Sequence, residues 1–258
     1  MRLMKRILSA AAVLALSASL LVGCSSGTAS SVPVSASSAA ESTVSSVEET
    51  ASSAVDENEA AAAQLLNDLT GSYQELWPVI LADEYKQTWL DDCTALVGED
   101  NAEAAFEKLS SMVTGDVYGE DAVKAYANGG GAYFCGFTNS LAILTFDGET
   151  STISGTDKDS NVLFSHTYHY IGMEPVHGLY EFESDDADSG EFTYFFLAPD
   201  TSAETYHIEF RYGSDAEALS QYNAGEYAYW VASGISTDCD QTMIDNCIEL
   251  FCTENLAG

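Results

Sequence analysis

The stretch Glu191–Ser214, EFTYFFLAPDTSAETYHIEFRYGS, contains two runs dense in aromatic and β-branched residues on either side of a short Pro-containing turn. Side chains of an extended chain alternate faces. As a strand, the second run therefore places Thr205, His207, Glu209 and Arg211 on one face and Tyr206, Ile208, Phe210 and Tyr212 on the other. The apolar row asks for a core. The polar row holds one of the four histidines in the chain, beside a carboxylate and the only arginine beyond residue 6. A single strand histidine is commonly a hydrogen-bonded structural residue, so His207 needs companions before it counts as a ligand.

Outward from this pair of strands, the segment after Gly129-Gly130-Gly131 is a series of short runs with strand composition. They fall near Ala132–Phe137, Leu141–Phe146, Ser151–Ser154, Val162–Ile171, Gly178–Phe182, Phe192–Ala198 and Thr205–Tyr212, with turn residues such as Asp147-Gly148 and Asp185–Gly190 between them. Such spacing predicts an antiparallel meander that closes into a barrel or stacks as a sandwich. Helical periodicity flanks it on both sides, over Glu57–Leu69, from Tyr73 to Ile80, Glu84–Leu96 and Asn101–Val113, and again over Asp215–Tyr222 and Asp240–Phe251. The fold class expected is mainly β, an antiparallel sheet with helices at both ends.

The N-terminal 23 residues carry Arg2, Lys5 and Arg6 ahead of an apolar run ending in Leu21-Val22-Gly23-Cys24. This reads as a lipoprotein signal peptide, with Cys24 as the lipidated residue. Residues 24–55 are rich in Ser and Ala, lack aromatic residues, and read as a disordered tether. Residues 56–258, roughly 200 in number, are enough for a domain with its own core. The expected location is extracytoplasmic, with the protein anchored to a bacterial membrane through its lipid.

The formal net charge is −33, from 41 acidic and 8 basic residues, and only Lys86, Lys108, Lys124, Lys158 and Arg211 remain basic beyond the leader. Such a chain repels nucleic acid and anionic headgroups and attracts cations. With Cys24 acylated, Cys93, Cys135, Cys239, Cys247 and Cys252 remain, an odd number whose pairing spacing alone does not give. The chain shows no Gly-x-Ser-x-Gly elbow, no His-Glu-x-x-His and no phosphate-cradling Gly loop before a helix, which predicts a protein that is not an enzyme.

Several separated motifs resemble one family. The run Leu66–Gln74 through Trp77-Pro78, then Tyr168-His169-Tyr170-Ile171-Gly172, Leu179–Glu183, and Tyr206-His207-Ile208-x-Phe210 with Gly213-Ser214-Asp215, look in consistent order like the ZinT/YodA family of lipocalin-like metal-binding proteins. The resemblance implies a calycin-type barrel binding zinc or another divalent ion at the barrel mouth through three histidines, and a metal-uptake transporter component as a partner. His207 matches the second histidine of the family's His-x-His pair, while Thr205 stands where the first should be. The family's remaining histidine falls near Asp200.

On this reading His207 and Asp200 are metal ligands. Glu209 is a further ligand or a carboxylate that orients His207. His166 either joins the site from a barrel-facing row or hydrogen-bonds a buried tyrosine, and His169 and His177 face solvent. A tight zinc site takes three or four N, S or O donors at about 2.0–2.3 Å, so loss of two family histidines leaves an alternative: a lipocalin-like binder of a small organic molecule that has lost its metal.

Overall fold

Eight antiparallel strands close on themselves in chain order in the computed structural model, which describes residues 57–198 and 207–257. They are β1 (Gly71–Glu75), β2 (Ile143–Asp147), β3 (Thr152–Thr156), β4 (Val162–Met173), β5 (Tyr180–Ser184), β6 (Tyr194–Leu197), β7 (His207–Gly213) and β8 (Ala232–Ser236). The helices are α1 (57–68), α2 (Leu76–Ile80), α3 (Lys86–Val97), α4 (Glu99–Val113), α5 (Glu120–Ala127), α6 (Ala216–Leu219) and α7 (Gln241–Leu256). The expected calycin-type architecture, an antiparallel barrel with flanking helices, is what the chain forms. The signal peptide and tether lie outside the described residues.

The barrel is not confined to the region between Ala132 and Tyr212. Its seam is closed by β1, from a stretch whose periodicity predicts helix, and by β8, from the tail. Tyr73 pairs with Leu144 on one side and Ser236 on the other, and β8 continues to β7 through Gly234 opposite Ile208. Both strands are five residues long and contain glycine, and β8 is buried almost throughout, so neither shows the alternation that announces a strand. Conversely, Ala132–Phe137 is not a strand of the sheet. Its ladder-type contacts are isolated bridges from Phe134 to Thr114 and Trp230.

Aromatic rows fill the barrel. Tyr168 and Phe195 meet edge to face at 5.4 Å, Phe195 stacks on Tyr212 at 5.4 Å, and Phe210 and Tyr212 lie 5.8 Å apart. Phe182, Phe195, Phe210 and Tyr212 are at most 1% exposed, so side chains rather than solvent occupy the interior.

Each end is stoppered. Around the C-terminal end of β1, Phe137 N–H donates to Glu75 Oε1 (2.6 Å), Thr138 N–H to Tyr212 Oη (2.6 Å) and Trp230 Nε1–H to the Gly136 carbonyl (2.9 Å), tying segment 136–138 across the opening. At the other end α1 inserts Leu65 and Leu66 into the same core, and Leu69 just after it does likewise.

A second core lies outside the wall, between the barrel and the helical layer of α2, α3, α4 and α7. Ile235 of β8 joins Ile80, Trp89, Leu109 and Ile248 there, all fully buried. Trp89 Nε1–H donates to the Ile80 carbonyl (2.7 Å), and Trp77 meets Phe251 edge to face at 4.8 Å. α7 begins where Asp240 accepts a bond from Met243 N–H (3.0 Å), satisfying one of the free donors of its first turn.

Candidate metal centre

Strand alternation decides where the candidate ligands go. Ile208, Phe210 and Tyr212 turn into the barrel, so His207, Glu209 and Arg211 turn outward, the first two under the helical layer. His207 and Glu209 border a cavity of about 20 Å³ between the wall and two helices. Trp77 of α2 forms one side, and Cys247 and Glu254 of α7 the other. The remaining lining is aliphatic and aromatic. A space of this size holds a water molecule or a bare ion and no organic ligand. The cavity lies behind the wall, outside the barrel interior.

His207 is 8% exposed, and burial pushes its imidazole down to about 4, so the ring is neutral at physiological pH. Burial, and then the neighbouring Cys239, push the Cys247 thiol up to about 12. Cys135 stands close to Glu209, and burial followed by that carboxylate push its thiol up as well. Both sulfurs are thiols at neutral pH and weak donors as they stand.

The donor types around the cavity, an imidazole nitrogen, two carboxylates and a sulfur, suit zinc. Among the described residues no three His, Cys, Asp or Glu side chains converge closely enough to hold an ion. Asp200 lies outside the described residues, in the segment 199–206 that leads directly into His207.

His166 is not brought to this cavity. It belongs to the inward row of β4 with Phe164 and Tyr168, stacks on Phe164 at 5.9 Å, and its Nδ1 lies 2.7 Å from Asp186 Oδ2. Its polar partner is an acidic side chain at the barrel end rather than a buried tyrosine. Tyr168 instead donates its hydroxyl to the Phe192 carbonyl (2.5 Å). His169 does face out, and its Nδ1 lies 2.7 Å from Asp185 Oδ1. His177 is covered where a turn residue was expected to be exposed. Its ring lies 3.7 Å from that of Tyr222, with its side chain 11% exposed beside Glu174.

Cys247 and Glu254 were not singled out by motif reasoning. They are seven residues apart, two helical turns, and so share one face of α7, a periodicity present in the sequence. Which face α7 presents, and that it presents it to β7, is tertiary information.

No family model matches this sequence, and no curated protein matches it. Among solved structures the chain is similar to the Zn(II)-bound ZinT-like domain of Streptococcus pneumoniae AdcA, with 15% identity, a TM-score of 0.45, and coverage of 71% of this chain and 89% of that one. It is also similar to Zn(II)-bound AdcA from the same organism, with 14% identity, a TM-score of 0.41, and coverage of 71% of this chain and 34% of that one.

Proposed function

We propose that this chain is an extracytoplasmic lipoprotein that binds a divalent metal ion, zinc first, at the outward face of β7, and passes it to a component of metal-uptake machinery. The observation that carries the reading is His207, a buried and neutral imidazole at the edge of an ion-sized cavity whose other polar borders are Glu209, Glu254 and Cys247. His207 supplies the directional nitrogen, Glu209 the adjacent carboxylate, and Asp200 the further donor from the segment entering β7. The bound ion would lock the start of β7 to α7, so that loading stabilises the fold by mass action.

The alternative, a small organic ligand inside the barrel, meets an interior already filled by the rings of Phe182, Phe195, Phe210 and Tyr212.

Elemental analysis of protein purified without added metal, followed by zinc titration calorimetry at pH 7.5, tests the proposal. One equivalent of zinc is expected, lost in His207→Ala while the barrel's circular dichroism is retained. Failure of the wild-type chain to bind, or unchanged binding in His207→Ala, would overturn it.

A further inference from the structure

The helical layer contains a pair of cysteines that sequence spacing does not connect. Cys93 lies in α3 and Cys252 near the end of α7, each fully buried, and their sulfurs are 3.9 Å apart across a sequence separation of 159 residues. We propose that Cys93 and Cys252 are a disulfide-forming pair, joined when the protein meets an oxidising environment. The other described cysteines, Cys135, Cys239 and Cys247, are the ones left over.

The geometry favours this pair. The thiols already touch, at less than twice the length of a disulfide bond, about 2.05 Å, so modest rotations of two side chains on packed helices close the remaining gap. Both sulfurs sit in the apolar core, with Trp89 and Phe251 in the same cluster. A formed bond there would be hard for a soluble reductant to reach.

The chemistry balances with a small disulfide as the oxidant. The Cys93 thiolate attacks one sulfur of oxidised glutathione and expels one glutathione thiolate. The Cys252 thiolate then attacks the Cys93 sulfur of the mixed disulfide and expels the second glutathione, which leaves as a molecule of its own. Two protein thiols lose two electrons and two protons, and one glutathione disulfide becomes two thiols. Because both sulfurs are buried, the reaction proceeds while the chain folds or while α7 is briefly detached.

The consequence reaches the cavity. α7 contributes Cys247 and Glu254 to its border, so a bond from Cys252 to α3 would fix the helix that covers His207. The proposal does not depend on what the cavity binds.

The test uses the full chain carrying Cys24→Ser, unfolded in urea and refolded in a glutathione redox buffer, then alkylated and mapped without reduction. A peptide pair joining Cys93 to Cys252, a loss of two hydrogens in the intact mass, and a melting temperature higher by about 10 °C than that of the reduced protein are expected. The link should vanish in Cys93→Ser and persist in Cys135→Ala. A map in which Cys93 and Cys252 are both alkylated, or are joined to other partners, overturns the proposal. Should Cys93→Ser fail to fold, the wild-type map still decides between these outcomes.

Discussion

Two residues of β7 show how much a single side chain owes to its surroundings. His207 titrates near 6.5 in an unfolded chain and at about 4 when buried here. Below about pH 6.5 the unfolded chain takes up a proton that the folded one refuses. The contribution of neutral His207 is therefore complete above pH 6.5 and is lost progressively as pH falls toward 4, by up to about 3 kcal/mol. Urea unfolding at pH 7.5 and 4.5 should show the wild type losing that much more than His207→Gln, and equal losses would mean the ring is solvated.

Arg211 is fully buried two pairs further along. Its guanidinium donates to the carbonyls of Leu219, Gln221 and Tyr227 and stacks on the Tyr222 ring at 4.3 Å, which pins segment 219–227 to the outside of the wall. Glu174, also buried, supplies a compensating charge nearby. Arg211→Met strands the carbonyls of Leu219, Gln221 and Tyr227 in a buried setting, so a loss of roughly 3–5 kcal/mol is expected in chemical denaturation. A loss under 1 kcal/mol would show that the segment is held by other contacts.

At the scale of elements, the barrel depends on pieces remote in sequence. α1 sits on the β2–β3 turn so closely that a Cβ at Gly148 would lie 2.4 Å from the Asn67 Cα and 2.5 Å from its nitrogen. Gly148 N–H also donates to Thr70 Oγ1 (3.0 Å), tying the turn to the helix's C-terminal end. Neither backbone can yield without moving the other. Gly148→Ala should therefore cost more than about 2 kcal/mol and expose α1 to limited proteolysis, although the same change in a solvent-facing turn is nearly neutral. An unchanged cleavage pattern would mean that α1 is free to shift. This close approach explains the Asp147-Gly148 pair better than the turn alone does, because Gly148 does not adopt a left-handed backbone conformation.

For the whole molecule, charge and attachment act together. A net charge of −33 disfavours electrostatic attachment to anionic headgroups, so lipidation at Cys24 would supply the proposed attachment. In a bacterial host the wild-type chain should sediment with membranes, and Cys24→Ser should be released without detergent. Persistent membrane association of the variant would point to another anchor.

The sequence by itself determined the barrel's face pattern. The aromatic rows of β4 and β7 had to point inward because rings alternating with polar residues can be buried on only one side of a strand. It also determined most of the helices, through their 3.6-residue periodicity. Even the outward direction of His207 was implicit there, as the necessary opposite of Phe210.

Only the tertiary structure decided the rest. The strands that close the barrel, β1 and β8, carry too little local pattern to declare themselves. Their identity is fixed by hydrogen bonds between residues more than 150 positions apart. The surroundings of His207 likewise depend on α7 packing back over β7, and the pairing of Cys93 with Cys252 on α7 packing against α3. These are choices made by the shared apolar core of Trp77, Trp89, Ile248 and Phe251, and no local motif encodes them.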